Sequence, residues 1–232
     1  GDMDLAIEEL RKTSGIKASK KSGRSAADGL IGLKGNGSDF FMIEVNCETD
    51  FVARDSSYIE FTSETLDSYA NSPDKSLEEL LEDGIEDKRE KIVQKLGENI
   101  VVRRVARTEA SSVTGSYLHS NKKIGCIVSL DGGDAALAND IAMHAAATDP
   151  MAISPTDIPE DIVEKEKEIF QAQSEDSGKP PEIIEKMIAG KVSKFLSEVS
   201  LTEQDFVKDP NTKISQLPVS YTHLRAHETF AN

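Results

Sequence analysis

Phe40-Phe41-Met42-Ile43-Glu44-Val45-Asn46-Cys47-Glu48-Thr49-Asp50-Phe51-Val52-Ala53 decides how this chain is read. Phe40 to Val45 is an apolar run broken only by Glu44, of strand length, and it reads as a buried strand. The chain then breaks at Asn46-Cys47-Glu48-Thr49 and delivers a carboxylate and a ring side by side, Asp50-Phe51. A helix is expected to begin near residue 55, so the pair belongs at the mouth of a strand, just before that helix. A large apolar ring beside a carboxylate at an element boundary fits a probe pushed into a partner. The plainer alternative is that Phe51 folds back into its own core.

Upstream, residues 30–33 read as a strand, separated from residues 40–45 by Lys34-Gly35-Asn36-Gly37-Ser38. Asn36-Gly37 is a strong hairpin signal because both residues tolerate positive φ. Downstream, residues 55–70 read as a helix with Tyr58, Phe61, Leu66 and Tyr69 on one face, stopped by Asn71-Ser72-Pro73. Residues 77–96 are helical and acidic, interrupted near Gly84, and residues 100–106 read as a strand. The pattern then recurs: strand at 116–118, turn at Ser120-Asn121-Lys122, strand at 124–130, and a helix over 134–147 stopped by Asp149-Pro150. Hairpin, helix and proline in this order, twice, indicate an α+β fold. Two duplicated subdomains, 30–110 and 111–158, are each expected to be an antiparallel sheet with helices on one face.

Residues 159–200 form a different unit. Ile162 and Ile169 are seven apart, as are Val163 and Phe170, and Ile184, Ile188, Phe195 and Val199 give a second stripe near heptad spacing. With a loop at 174–180 this reads as an inserted antiparallel coiled-coil hairpin whose apolar stripe is its own seam. Residues 3–12 read as a short amphipathic helix, 13–29 as a polar, basic linker, and 201–217 as a return to the core.

The 232 residues carry a formal net charge of -15, which argues against binding nucleic-acid phosphates and suits a protein that meets other proteins. No apolar run approaches the roughly 20 residues that span a bilayer. Cys47 and Cys126 sit far apart in apolar runs and read as two reduced, buried side chains of a cytosolic protein. No Cys/His cluster has metal-ligand spacing. Gly32, Gly35 and Gly37 flank a hairpin and do not open a helix, so they form no phosphate loop. His144 and His119 lack a nucleophile placed near them in sequence. These readings point to a protein that is not an enzyme and needs no cofactor or metal.

Six stretches, in order, strongly resemble the elongation factor Ts family. They are Leu5-Ala6-Ile7-Glu8-Glu9-Leu10-Arg11-Lys12, Ala26-Ala27-Asp28-Gly29, and Cys47-Glu48-Thr49-Asp50-Phe51-Val52-Ala53. Gly97-Glu98-Asn99-Ile100 with Arg103-Arg104, Ile141-Ala142-Met143-His144 and Ser177-Gly178-Lys179-Pro180 follow. The resemblance implies a guanine-nucleotide exchange factor that binds elongation factor Tu, GDP-bound and nucleotide-free, and promotes GDP release. It implies that Asp50 and Phe51, with Val52 beside them, enter the partner's nucleotide domain, and that Ile124 and His144 contact another of its domains. It also implies that residues 1–12 are the remnant of an N-terminal helical, UBA-like module that begins before Gly1. Residues 218–232 leave the family pattern and are expected to be a foreign or frame-shifted tail without helical or strand period. A dimer through the hairpin stays open, and so does an organellar matrix beside the cytoplasm. The competing readings are an acidic protein-binding scaffold without exchange activity and a small hydrolase using His144.

Overall fold

A computed structural model describes residues 15–16, 18–35, 39–108, 113–175, 180–217 and 225–231. The helix expected at residues 3–12 and the Asn36-Gly37 turn lie outside the described residues.

The apolar run forms the centre of the first sheet. Strands β1 (Asp28–Gly35), β2 (Phe40–Cys47) and β3 (Val101–Arg107) pair antiparallel in the order β1-β2-β3. Their register sets Gly35 against Phe40 and Asp28 against Cys47. Side chains of β2 alternate between two buried faces, which explains why the sequence shows a continuous apolar run. Phe41, Ile43, Val45 and Cys47 face one core, shared with Tyr58, Phe61, Leu66 and Tyr69. Met42 faces the other way and joins Ile31, Ala106 and Ile127 in a second, smaller cluster. Glu44 is fully buried, and Arg103 and Arg104 on β3 pair with its carboxylate. A buried carboxylate without such partners would cost several kcal/mol, on the order of 3–5.

Four helices cover the outer face: α1 (Asp50–Ala53), α2 (Ser56–Asn71), α3 (Leu77–Leu80) and α4 (Glu86–Leu96). Asp55 caps α2 by accepting from the Ser57 N–H at 2.8 Å. The Tyr58 hydroxyl, carried into the core on α2, donates to the Val45 carbonyl at 2.6 Å. The interruption expected near Gly84 is a kink between two helical stretches, where Asp83 (φ -81°, ψ 34°) and Gly84 (φ 93°) leave the helical conformation. That left-handed conformation favours glycine and turns the acidic segment between α3 and α4.

The second unit places β4 (Val113–Leu118), β5 (Ile124–Leu130) and β8 (Arg225–Ala231) in the order β4-β5-β8. Residues 225–231, expected to carry no strand, therefore pair antiparallel with β5 as a third strand. A free edge on an apolar strand accepts a partner through backbone groups alone, which residue patterning does not reveal. Helix α5 (Ala135–Thr148) is capped by Asp134 and packs Ala138, Ile141, Ala142 and Ala145 onto Cys126, Val128 and Leu130. Its small residues bring it against the strand: a Cβ at Gly115 would lie 2.2 Å from the Ala138 carbonyl carbon. The two sheets face each other through Met42, Ile31 and Ile127, with helices outside.

Helices α6 (Glu160–Glu175) and α7 (Pro181–Val199) form the antiparallel hairpin. The chain leaves for it and returns at one place, where Ala152 and Ser200 form a bridge. Ile162, Val163, Phe170, Ile184, Ile188, Phe195 and Val199 are half-buried along the seam. Ile169 departs from the heptad reading, being 40% exposed. Two helices alone give a narrow seam, so one of two adjacent apolar residues turns outward. After the hairpin, β6 (Asp205–Phe206) and β7 (Asp209–Lys213) cover the end of α5, with Phe206 in its core.

The segment read as a free linker is tied down. Ala18 is buried in the first core, Asn99 Nδ2 donates to the Arg24 carbonyl at 2.8 Å, and Lys21 Nζ donates to the Gly97 carbonyl.

Candidate functional site

Thr49 starts α1. Its backbone is extended, with φ -135° and ψ 155°, and its hydroxyl oxygen accepts from the Val52 N–H. The next turn sorts its side chains by direction. Ala53 is buried and Val52 packs against the first core, so Phe51 is driven outward and is 82% exposed. Successive helical residues are roughly 100° apart, so with Val52 and Ala53 turned to the core, Phe51 lies on the opposite side of the turn from Ala53. The reading in which Phe51 folds into its own core is therefore excluded in this conformation.

Asp50 occupies the first turn and pairs with Arg54 at 2.9 Å across i,i+4. Both side chains are well exposed, so this pair contributes at most about 1 kcal/mol and leaves the carboxylate free to exchange partners. The turn is held from behind by a segment some fifty positions later in sequence. Glu98 Oε2 accepts from the Glu48 N–H at 3.1 Å and the Thr49 N–H at 3.0 Å. Glu98 Oε1 accepts from the Thr49 hydroxyl at 2.7 Å. Glu48 Oε1 in turn accepts from the Asn99 N–H at 2.7 Å and lies 3.5 Å from Arg24. Cys47–Ala53 and Gly97–Ile100 each stand out in the sequence, but nothing periodic connects them. The acid at the same place in each was the available signal.

Ile124 begins β5. It is half-buried and packs against the second core. The neighbouring Lys123 donates to Asp28 at 2.7 Å, and the Ile31 N–H donates to the Lys122 carbonyl at 2.8 Å. The Lys123 ammonium is the largest cause holding the Asp28 carboxyl below its ordinary pKa. Because Asp28 pairs in register with Cys47, the end of β5 that carries Ile124 lies beside the end of β2 from which Asp50 and Phe51 depart.

His144 corrects the expectation of a directly exposed contact. The ring is fully buried, at 0% exposure. Nδ1 accepts from the Val207 N–H at 3.3 Å, which places the proton on Nε2, and that donates to Gln204 Oε1 at 2.9 Å. Gln204 Nε2 donates to the Glu198 carbonyl at 2.7 Å. Burial lowers the His144 pKa, against a smaller upward push from Gln204. The ring therefore ties α5 to the base of the hairpin and to β6.

Among the described residues no group of His, Cys, Asp and Glu side chains could hold a metal ion, and no helix is long and apolar enough to cross a membrane. Cys47 and Cys126 are buried, and neither is in a disulfide. Burial pushes the Cys47 thiol up to about 11, which removes it as a nucleophile at neutral pH.

A family model described as Elongation factor TS matches residues 48–224. The chain belongs to the elongation factor Ts family. Elongation factor Ts of Hahella chejuensis is 47% identical over 219 residues, covering 94% of this chain and 76% of that protein. Elongation factor Ts of Marinobacter nauticus is 48% identical, covering 94% and 75%. Elongation factor Ts of Saccharophagus degradans is likewise 48% identical, covering 94% and 76%. The match to the elongation factor Ts family includes Asp50, Phe51, Ile124 and His144 and extends beyond residue 217, where the sequence pattern places its end. Membership makes this a protein of translation elongation.

Proposed function

We propose that this chain is a guanine-nucleotide exchange factor that binds elongation factor Tu in the cytoplasm and promotes release of GDP. The observation that carries the reading is an aromatic ring 82% exposed on a single turn whose other apolar side chains are locked into the core. An exposed ring on a rigid mount costs little ordering entropy when it docks, which suits a wedge.

The activity needs no covalent step and no cofactor, so the chain is not an enzyme in this reading. It needs affinity that is greater when the partner's nucleotide pocket is empty. Linkage makes the effect reciprocal: whatever factor the chain takes from GDP affinity, GDP takes from the chain's affinity. Phe51 inserts between side chains of the nucleotide domain, and the Asp50 carboxylate approaches the magnesium–phosphate region, displacing groups that hold both. Ile124, at the adjoining end of the second sheet, grips a second domain and gives the wedge a fulcrum. His144 supports that second surface through Gln204.

The test is release of labelled GDP from elongation factor Tu with and without this chain. Acceleration that saturates with chain concentration supports exchange. Binding without acceleration supports the scaffold reading, and GTP or ester hydrolysis without a partner supports the hydrolase reading.

A further inference from the structure

We propose that Glu98 is a positioning residue that holds the Asp50–Phe51 turn in the orientation that meets the partner. The inference rests on the exchange reading above and adds a residue that makes no outward contact of its own.

Helix α1 has four residues, and an isolated turn of that length does not persist in water. The leading N–H groups of a helix have no intrahelical acceptor and must find one elsewhere. Glu98 supplies acceptors just ahead of the turn, through its bonds to the Glu48 N–H, the Thr49 N–H and the Thr49 hydroxyl. These are bonds to a carboxylate and are stronger than neutral ones. Because its O–H is directed to Glu98, the Thr49 hydroxyl also holds its lone pairs toward the Val52 N–H.

Glu98 is itself well mounted. Gly97, at φ 82°, ends α4 with its N–H on the Val93 carbonyl, and Ile100, fully buried, starts the approach to β3. The return bond from the Asn99 N–H to Glu48 closes a reciprocal clasp between the two segments. The clasp bears on the backbone at residues 48 and 49 and leaves the core contacts of Val52 and Ala53 intact. Its loss should therefore loosen the direction of Phe51 more than it loosens the fold.

Four proteins test this: the full chain, Phe51→Ala, Glu98→Ala and the double variant. Each is assayed for GDP release from elongation factor Tu below its own melting temperature. If loss of the clasp leaves the turn correctly set about a tenth of the time, apparent affinity falls about tenfold. Glu98→Gln, which keeps one oxygen for the two backbone donors, should recover most of that loss. In the Phe51→Ala background, Glu98→Ala should change exchange by less than about twofold, because residues acting through one group are not additive.

Hydrogen exchange on the free chain gives a readout independent of activity: amides of residues 49–52 should lose protection in Glu98→Ala while those of β2 keep it. Should Glu98→Ala not fold, Glu98→Gln, which alters only the oxygen that accepts from the Thr49 hydroxyl, gives the same ordering at smaller amplitude. Unchanged protection, or a Glu98→Ala loss fully additive with Phe51→Ala, overturns the proposal. If Phe51→Ala exchanges at the normal rate, the wedge reading fails, and the amide protection still reports on the clasp.

Discussion

Phe51→Ala separates a docking residue from a core residue, because the structure assigns very different costs to the two. With the ring 82% exposed, less than a fifth of its surface leaves water on folding. For an aromatic side chain of roughly 200 Å² that is about 40 Å², or about 1 kcal/mol at about 25 cal/mol per Å². Alanine also favours the helical turn, which offsets part of this. For a chain of this size the melting temperature should fall by no more than about 2–4 °C. Phe61, on α2 and 5% exposed, offers the internal contrast: its truncation should cost about 3–5 kcal/mol. On the partner, a buried interface aromatic is worth about 2 kcal/mol or more. That converts to about a 30-fold loss in the second-order rate of GDP release. Paired thermal melts and stopped-flow release of labelled GDP read both quantities on one preparation. A Phe51→Ala protein that melts as early as Phe61→Ala, or that exchanges at the normal rate, refutes the reasoning.

Three further outcomes are expected. The folded-state pKa of His144 lies below its ordinary 6.5, so as pH falls the unfolded chain takes up a proton first. Stability from this group is full above about pH 6.5 and is lost as pH falls from there toward the folded-state pKa; denaturant melts of His144→Asn should show a shallower slope than the parent between about pH 7 and 5.5. Gly115→Ala places its Cβ against the backbone of α5 and should destabilise by about 1–3 kcal/mol, read by urea melts. Replacing residues 160–197 by a short Gly/Ser linker should leave one cooperative melt, because Ala152 and Ser200 already meet at the base of the hairpin; loss of cooperativity would show the hairpin to be part of the core.

Local features were readable where the cause is local. The apolar run of β2, the helix starts near residues 55 and 134, the break at Gly84 and the heptad spacing of Ile184, Ile188 and Phe195 each have causes within a few residues. The exposure of Phe51 followed from the polar break before it. What stayed hidden depends on distant pairing. The burial of His144 needs Gln204 and Val207, some sixty residues on. Glu44, an apparent flaw in an apolar strand, is accounted for only once Arg103 and Arg104 lie beside it on β3. The clasp of Glu48 and Glu98, the packing of Ala18 and the pairing of β8 with β5 leave no periodic mark, because they are made through backbone groups or through isolated side chains.

The central claim is that this chain prefers elongation factor Tu with its nucleotide pocket empty, and that Asp50 and Phe51 carry the preference. Titration calorimetry of the chain into nucleotide-free and GDP-loaded elongation factor Tu measures it directly. The account predicts tighter binding to the empty form, by the same factor by which the chain weakens GDP binding, and a ratio that shrinks toward one in Phe51→Ala. Equal affinity for the two forms would contradict it, and would leave a binding partner with no means of driving exchange.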